Sequence, residues 1–420
     1  MLVVRPESAG SRSVSTEGCA KATDRLWCAS IAPSNVLPPA SALTPPEAYT
    51  TMGGFPLRIL VVGAGIAGLA VARALRMAGF RPDVIDRLPP HDLVDTGLYL
   101  PGNAARALRR LELDGPVRPL GQVIHRQRFR DVTGAPLCEV DLDALWAGVG
   151  ECRALLHGEL HRVLLTGAGG AVRYRVGIDA VDLFPETVGV TFADGATAEY
   201  DLVIGADGAR SAVRTLAALG GPPLAAGQVV YRAVARGGPP VSEWTALLGH
   251  RAGFLVVPIG PGRLHCYADE TGTVVPADPL ARIRELFGDY GGPLPDVLDC
   301  LEQVHASVTD EVELGRWYRG RVLLVGDAAH ATAPTLSQGA AMALEDAVVL
   351  AESLRSSTDD VDAALAAYES RRRPRTRWVR DRTRDRNRTR DVSPALRDPL
   401  LRGRGGRIFG EHYRLLLGPL

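Results

Sequence analysis

The chain has 420 residues, of which 46% are hydrophobic, and its 48 basic and 48 acidic residues give a formal net charge of zero. This length predicts two or three structural units with a substantial core. The even charge balance argues against nucleic acid or a membrane surface as the main partner, and no apolar run is long enough to span a membrane. The six cysteines show no CxxC spacing, which predicts reduced thiols, no metal site and a cytoplasmic protein.

The first 51 residues are rich in Ser, Pro, Ala and Thr and lack a periodic apolar pattern. Such a composition buries too little surface to offset the entropy of ordering, so residues 1–51 are predicted to be a disordered extension. Met52 lies just before the first strand-like segment and is an alternative start.

A dinucleotide-binding pattern begins at residue 57. Residues 57–62 predict a strand, 63–68 read GAGIAG, 69–78 predict a helix, and 82–86 predict a second strand that ends in Asp86. In such a GxGxxG loop the first glycine permits a tight turn, the second lets a pyrophosphate approach, and the third lets the helix pack close to the strand. The acid then falls where a ribose hydroxyl would be held.

The next segment contains short elements with less specific patterns. A helix is predicted over 103–111, a hairpin over 123–141, and a helix that begins at Arg153. Arg153 is equally well explained as a charge at the start of a surface helix or as a cofactor contact. Strand-like runs at 172–176, 187–192 and 197–200 predict a small antiparallel meander.

A second loop rich in Gly and Asp follows the strand-like residues 201–204 and reads GADGARSAVR over 205–214. An ordinary strand-to-helix turn would explain it, but its recurrence beside a dinucleotide-binding pattern favours a functional role.

Residues 223–314 contain four strand-like runs and a helix predicted over 279–287. This pattern predicts an antiparallel sheet with a helix, which is the natural place for a substrate.

A third strand-to-helix unit covers residues 321–354. A short apolar run ends at Gly326-Asp327, a loop of small residues follows, and a helix is predicted to begin near Ser337 and Gln338. A carboxylate at a strand end accepts hydrogen bonds from hydroxyls, and a helix N-terminus attracts negative charge. The unit is therefore suited to a polar cofactor.

Eleven arginines stand between residues 371 and 390, together with Asp381 and Asp385. A nucleic-acid patch is one interpretation. The single aromatic residue and the Asp/Arg neighbours favour a solvated helix face instead.

Three stretches together resemble the class A FAD-dependent flavoprotein monooxygenases, the aromatic hydroxylases with the para-hydroxybenzoate hydroxylase fold. They are GAGIAG at 63–68 with Asp86, GADGARSAVR at 205–214, and GDAAHATAP with QGAAMALEDA at 326–347. The resemblance covers about residues 57–390. It implies an α/β fold, in part α+β, with a Rossmann-like FAD domain that has a mostly parallel sheet, an antiparallel-sheet substrate domain and C-terminal helices.

The expected domains are discontinuous. The FAD-binding domain is expected to comprise 52–120, 142–222 and 315–375, and the substrate-binding sheet 121–141 and 223–314. Residues 376–420 are expected to form a C-terminal helical segment.

The family's activity gives the expected reaction. NADH or NADPH would reduce non-covalently bound FAD, oxygen would form a flavin C4a-hydroperoxide, and its distal oxygen would hydroxylate or epoxidise an aromatic or polyketide-like small molecule. The expected partners are that substrate and O2, with no nucleic acid and no membrane span, in a monomer or homodimer.

The resemblance also implies site residues. Tyr231 and Arg232 are the catalytic candidates, and His330 is interpreted as structural. Ser337 stands where the family usually has Gly, and its hydroxyl is expected to cap the following helix. The cofactor-binding positions implied are Gly63, Gly65, Ile66, Ala67, Gly68, Asp86, Arg87, Arg153, Asp207, Gly326, Asp327, Ser337, Gln338, Gly339 and Ala340.

Other functions of the same fold are also considered. One alternative is a flavin-dependent reductase of carbon–carbon double bonds of the geranylgeranyl-reductase type, and another is a non-catalytic flavin-binding protein. A flavin-dependent halogenase is disfavoured because its chemistry uses a core lysine, whereas Lys21 is the one lysine of this chain.

Overall fold

The computed structural model describes residues 57–89, 96–357 and 360–420. The predicted disordered extension over 1–51 and the alternative start at Met52 lie outside these ranges.

The described residues form both β-strands and α-helices. The strands are β1 (Ile59–Val62), β2 (Asp83–Asp86), β3 (Gly97–Leu100), β4 (Gln122–Val123), β5 (Arg126–Arg130), β6 (Pro136–Asp141), β7 (Arg153–Leu156), β8 (Val172–Tyr174), β9 (Ile178–Leu183), β10 (Val188–Phe192), β11 (Thr197–Tyr200), β12 (Leu202–Gly205), β13 (Leu224–Arg236), β14 (Trp244–Leu248), β15 (Ala252–Pro258), β16 (Arg263–Thr271), β17 (His305–Glu311), β18 (Tyr318–Arg319) and β19 (Val322–Leu324). The helices are α1 (Ile66–Met77), α2 (Gly102–Arg110), α3 (Asp114–Val117), α4 (Leu142–Leu145), α5 (His157–Ala168), α6 (Ala212–Leu216), α7 (Pro279–Phe287), α8 (Leu294–Asp299), α9 (Asp327–His330), α10 (Gly339–Ser356), α11 (Val361–Arg388), α12 (Pro394–Glu411) and α13 (Arg414–Leu417).

A six-stranded sheet forms the first half of the fold, in the order β18-β19-β12-β1-β2-β8. All neighbours in it are parallel except β18 and β19. Strands β1, β12 and β19 are buried along their whole length, as expected for parallel strands that are covered on both faces. The carboxyl ends of these three strands lead into the three motif loops. The predicted Rossmann-like arrangement is confirmed.

A seven-stranded sheet forms the second half, in the order β17-β13-β16-β15-β14-β5-β6. Its neighbours are antiparallel except for β14 and β5. Helices α7 and α8 cover one face, where Phe287 and Val297 pack against Tyr231 and Phe254. The predicted antiparallel sheet with a helix over 279–287 is confirmed. The proposed assignment of each segment to a domain stays a prediction.

Two short segments differ from their predicted structure. Arg153 does not begin a helix, because residues 153–156 form β7 and pair with β3, and helix α5 begins at His157. Residues 172–174 join the parallel sheet through β2, so the antiparallel meander consists of β9, β10 and β11. Apolar runs of three or four residues fit a strand or one helical turn equally well, and partners distant in sequence decide between them.

The prediction of a solvated face for the arginine-rich helix α11 holds for Arg371, Arg377 and Arg388, which are exposed, but it is wrong for the side of the helix that faces α10. Arg372 and Arg375 are buried, and Arg372 contacts Glu345 at 2.6 Å and Asp346 at 2.7 Å, while Arg375 contacts Glu345 at 2.7 Å. Both carboxylates come from α10, which is buried along most of its length. Paired charges of this kind are how arginine is accommodated inside a protein.

The C-terminal helices complete the second half of the fold. Helix α12 packs against β6, and Phe409 lies over Phe129 with ring centroids 4.1 Å apart. No helix in the described part of the chain is both long and apolar enough to cross a membrane. Cys138, Cys152, Cys266 and Cys300 are free thiols, as predicted.

Candidate active site

A cavity of about 1090 Å³ opens between the two sheets. Ligand pockets are commonly about 300–1,000 Å³, so this cavity lies at the upper end of that range. We call its two sides the loop end and the sheet end. The loop end is lined by Gly65, Ile66, Ala67, Ala206, Gly208, Ala209, Asp327, Ser337, Gly339 and Ala340. The sheet end is lined by side chains of β13, β14, β16, α11 and α12 and of the residue after α12, among them Arg232, Trp244, His265, Tyr267, Arg386, Phe409 and His412.

The glycine-rich loop contributes bare backbone to the loop end. Gly63 has a φ of +110°, and a Cβ there would lie 2.4 Å from the Ala206 carbonyl oxygen. A Cβ on Gly68 would lie 1.8 Å from the Gly63 carbonyl oxygen, whereas one on Gly65 would meet no atom within 4 Å. The first and third glycines are therefore required for the turn and the packing, and Gly65 leaves open space at the cavity wall.

Asp86 braces this loop from the end of β2. Its carboxylate accepts hydrogen bonds from the Ala64 amide at 2.7 Å and the Leu88 amide at 2.8 Å. The His161 ring, which sequence reasoning missed, contacts the Ala64 carbonyl at 2.8 Å from behind. Arg87 is exposed and does not line the cavity. A cofactor contact of Asp86 or Arg87 stays a prediction.

Asp207 shapes the second motif loop and does not line the cavity. Its carboxylate accepts hydrogen bonds from the Ser211 hydroxyl at 2.5 Å, the Ala212 amide at 2.7 Å and the Val213 amide at 3.1 Å. These bonds satisfy the free amides at the start of α6. The backbone of its neighbours Ala206, Gly208 and Ala209 is what reaches the cavity.

Asp327 presents a free carboxylate to the cavity. It follows β19 at the start of α9, its side chain is open to the cavity, and it carries no hydrogen bond or ion pair from the described residues. Burial raises the pKa of Asp327, and the nearby His330 and Arg232 oppose that shift. In the open cavity water can solvate this carboxylate. A ligand that fills the cavity and displaces that water would have to donate hydrogen bonds to it, as hydroxyl groups do.

The third motif loop turns sharply before α10. Ser337 has a φ of +52° and ends a 3-10 turn over Pro334–Leu336. The expected helix cap at Ser337 is wrong, because Gln338 occupies the cap position and no side chain bonds the first turn. A left-handed φ explains why glycine is favoured at the position of Ser337. Gln338 is buried away from the cavity and accepts a hydrogen bond from Asn103 at 3.0 Å.

A buried charge network supports this loop from beneath. The Asp346 carboxylate accepts the Gly326 amide at 2.8 Å, contacts the His330 ring at 2.7 Å and pairs with Arg372. Burial favours the neutral acid, but the charges of His330 and Arg372 outweigh it and lower the pKa of Asp346 to about 2. His330 is 10% exposed and outside the cavity lining. This position agrees with the interpretation of His330 as structural.

Arg153 does not line the cavity. Its guanidinium donates to the Leu120 carbonyl at 2.9 Å and to Glu151 at 2.8 Å. Its proposed contact with a cofactor stays a prediction.

Tyr231 and Arg232 lie on opposite faces of β13, as neighbours in a strand must. Tyr231 is fully buried beneath α7 and donates its hydroxyl hydrogen to Glu270 at 2.5 Å. Tyr231 is therefore not a cavity residue, which corrects its place among the catalytic candidates. Arg232 lines the cavity and contacts the Ser307 hydroxyl at 3.4 Å.

The sheet end contains two side chains beside Arg232 that sequence reasoning missed. His265 is 7% exposed, and burial together with the Arg232 charge lowers its pKa to about 4. The Arg232 guanidinium lies 6.0 Å from the centre of the Tyr267 ring. At neutral pH this part of the cavity thus combines a neutral imidazole, a phenol and a guanidinium.

The C-terminal helices supply the opposite wall through Arg386, Phe409 and His412. Burial, followed by the nearby Arg386 and Arg382, lowers the pKa of His412 to about 4. A spacing in the sequence indicates this wall: the buried positions Arg372, Thr376, Val379 and Thr383 recur every three or four residues, and Arg386 continues that spacing. Within the described ranges there is no group of three or more His, Cys, Asp or Glu side chains that could hold a metal ion.

Comparison with known proteins gives consistent matches. Residues 57–383 match the family model described as an FAD binding domain. The FAD-dependent urate hydroxylase of Mycolicibacterium vanbaalenii is 31% identical over 336 residues, covering 76% of this chain and 85% of that protein. The 3-amino-4-hydroxybenzoate 2-monooxygenase PtmB3 of Streptomyces platensis is 34% identical over 352 residues, covering 78% and 87%.

A solved structure shows the same architecture. The crystal structure of a single-residue variant of Klebsiella pneumoniae HpxO complexed with FAD superposes with a TM-score of 0.79 at 27% identity. The match covers 86% of this chain and 99% of that one.

Proposed function

The chain belongs to the class A FAD-dependent flavoprotein monooxygenases, and from that membership we propose that it uses NADPH or NADH and molecular oxygen to hydroxylate an aromatic small molecule. The proposal is supported most by the two ends of the cavity. At one end, Gly65 presents open backbone and the Asp327 carboxylate has no partner among the described residues. The other end offers Arg232 and aromatic side chains.

The residues of the loop end fit FAD. Gly65 leaves room for a pyrophosphate to approach the backbone. Asp327 has acceptor oxygens free for the hydroxyls of a ribityl chain. Gly339 and Ala340 begin an 18-residue helix beside the cavity, where the positive end of the helix dipole favours a negatively charged ring.

When bound, FAD would supply the redox and oxygen chemistry, which no side chain of the described site can perform. The protein's residues do the rest. The backbone of 65–67 and 206–209 holds the cofactor, and the first turn of α10 stabilises negative charge beside it. The apolar walls of the sheet end exclude water. Arg232 donates hydrogen bonds to the polar edge of the substrate and so orients its ring.

The substrate class follows from the relatives and from the cavity. The matched relatives are named for urate and for 3-amino-4-hydroxybenzoate, both small aromatic compounds with several polar substituents. The sheet end has the matching combination of aromatic walls with arginine, histidine and tyrosine side chains. These names also favour oxygenation over the two alternatives, a carbon–carbon double-bond reductase and a non-catalytic flavin protein.

The proposal is tested by anaerobic reduction of the FAD-loaded protein with NADPH and with NADH, in the presence of phenols and N-heteroaromatic compounds, followed by addition of oxygen. We expect a ligand that accelerates flavin reduction and is hydroxylated once oxygen is admitted. Reduction of a ligand double bond without oxygen consumption would establish the reductase instead. A flavin that neither nicotinamide cofactor reduces would contradict an enzymatic role.

The cofactor position is tested separately by Asp327→Ala. This variant loses the carboxylate at the loop end and is expected to release FAD during purification. Each charge-assisted hydrogen bond that is lost should lower the affinity for FAD by roughly tenfold or more. Asp296→Ala, at an exposed position of α8, is the control and should retain its yellow colour. Full FAD content in Asp327→Ala would remove Asp327 from the site.

A further inference from the structure

Arg386 differs from the other arginines at the end of α11 in lacking a carboxylate partner among the described residues. It lines the cavity, and its guanidinium lies 4.4 Å from the centre of the Phe409 ring and 5.2 Å from that of Phe129. Its side chain makes no hydrogen bond or ion pair with any residue that the structure describes. None of its nitrogen atoms is among the sealed, unpartnered polar atoms of the described chain, so its donors remain accessible from the cavity.

The neighbouring arginines all have carboxylate partners. Arg384 pairs with Glu311 and with Glu313, the latter at 2.9 Å. Arg388 pairs with Asp385 at 3.2 Å, and Arg390 pairs with Asp269 through two nitrogen atoms. The arginines on either side of Arg386 therefore have carboxylate partners, whereas Arg386 has none among the described residues.

The two acidic groups near Arg386 are already occupied. Asp269 is held by Arg390 and by the Tyr267 hydroxyl at 3.3 Å. Asp385 pairs with Arg382 at 3.0 Å as well as with Arg388. His412 shares the same wall and is neutral at physiological pH, since its pKa is lowered to about 4. The wall thus carries one positive charge that the described residues do not neutralise.

The two rings fix the orientation of this charge without satisfying it. A guanidinium over aromatic rings gains attraction from their negative faces but keeps its hydrogen-bond donors free. An enclosed charge with unused donors is unfavourable unless a partner arrives from the cavity. Burial lowers the pKa of Arg386 for the same reason, and arginine nevertheless stays protonated in proteins.

We infer that Arg386 is a specificity-determining residue that binds a carboxylate of the substrate. The planar guanidinium matches a carboxylate with two parallel hydrogen bonds, and Phe409, which also lines the cavity, offers an apolar contact for the attached aromatic ring. The inference rests on the proposed function in that the substrate occupies this cavity. It narrows the substrate class to aromatic carboxylic acids.

The test measures ligand binding to the FAD-loaded protein through the change in flavin absorbance. The probes are benzoate, 4-hydroxybenzoate and 2-naphthoate, each compared with its neutral carboxamide. The wild-type protein is expected to bind at least one carboxylate about tenfold or more tighter than its amide, as a charge-assisted hydrogen-bonded pair provides. Equal binding of every pair, or no binding of any carboxylate, would overturn the inference.

Variants test whether Arg386 causes the preference for carboxylates. Arg386→Gln is expected to abolish the preference, and Arg386→Lys to reduce it, because lysine keeps the charge and loses the planar fork. Arg388→Gln removes an exposed arginine from the same helix and should leave the preference unchanged. A preference that survives in Arg386→Gln would contradict the role. Should Arg386→Gln fail to load FAD, an unreduced preference in Arg386→Lys would contradict it equally.

Binding and turnover separate this inference from the proposed function. A preference for carboxylates without NAD(P)H-dependent oxygenation would support the carboxylate-binding role of Arg386 and contradict the proposed monooxygenase activity. Oxygenation of aromatic compounds without any preference for carboxylates would support the monooxygenase activity and contradict the role of Arg386.

Discussion

The loop end and the sheet end of the cavity are built from different parts of the chain. The loop end consists largely of backbone from three loops that each follow a buried parallel strand, with Asp327 as the free charged group among its described residues. The sheet end consists of side chains from β13, β16, α11 and α12, which are distant in sequence. One end is determined by local turns and the other by tertiary packing.

This difference separates two tasks. A backbone-lined site holds a cofactor common to a whole family, because glycine turns and helix N-termini bind phosphate and hydroxyl groups whatever the surrounding side chains are. A side-chain-lined site can change its ligand through single substitutions. We therefore expect damage to the loop end to remove the cofactor, and damage to the sheet end to change substrate selection while FAD remains bound.

The largest effect is expected from Arg372→Met, behind the loop end. This change leaves Glu345 and Asp346 buried with less positive charge and should lower the free energy of unfolding by about 3–5 kcal/mol. Because Asp346 holds the Gly326 amide, FAD retention should fall as well. Chemical denaturation and flavin absorbance measure the two effects. Arg371→Met, at an exposed neighbour, should change neither, and an unaffected Arg372→Met would show that the network does not support the loop.

The sheet end should respond to acid through His265. Its pKa is about 4 in the folded protein and about 6.5 when unfolded, so between these values only the unfolded chain binds the proton. The free energy of unfolding should therefore fall as pH drops from 6.5 to 4, by at most about 3 kcal/mol from this residue. His265→Asn should reduce that dependence in denaturation curves, and His412, whose pKa is also lowered to about 4, should account for part of what remains. His305→Asn, on an exposed part of β17, should not, and an unchanged slope in His265→Asn would exclude His265 as the cause.

A pair of glycine substitutions separates folding from cofactor binding at the loop end. Gly68→Ala places a Cβ against the Gly63 carbonyl and should destabilise the fold by about 2 kcal/mol. Gly65→Ala meets no protein atom, so the melting temperature of the FAD-free protein should not change. Its affinity for FAD should instead fall about tenfold, or ~1.4 kcal/mol. Thermal melts and FAD titration compare the two, and equal FAD affinity in wild type and Gly65→Ala would place the pyrophosphate elsewhere.

The same difference explains how far the sequence predicts the structure. The loops at 63–68 and 326–340 were predictable because their glycines and acids follow apolar strands in a fixed local order. The side of β13 that faces the cavity was not predictable. The alternation of side chains along a strand places Tyr231 and Arg232 on opposite faces but does not determine which of them faces the cavity. Ser337 was assigned to the helix cap because serine is a common cap, whereas its left-handed turn depends on the preceding 3-10 segment.

The arginine-rich helix shows what composition conceals. Arg372 and Arg375 are buried because Glu345 and Asp346 on α10 lie opposite them, and no local pattern reveals that partner. Arg386 has the same residue type and the same helical spacing, yet it faces the cavity without a carboxylate from the described residues. The distinction between a structural and a ligand-binding arginine exists only in the tertiary structure.

The most direct measurement is the origin of oxygen in the product. The FAD-loaded protein, supplied with NADPH or NADH and an aromatic carboxylate that it binds, is incubated under ¹⁸O₂ and the product is analysed by mass spectrometry. We expect a hydroxylated aromatic product that carries a single oxygen atom derived from the gas. A product whose added oxygen comes from water, or one with a reduced double bond formed without oxygen, would contradict this expectation.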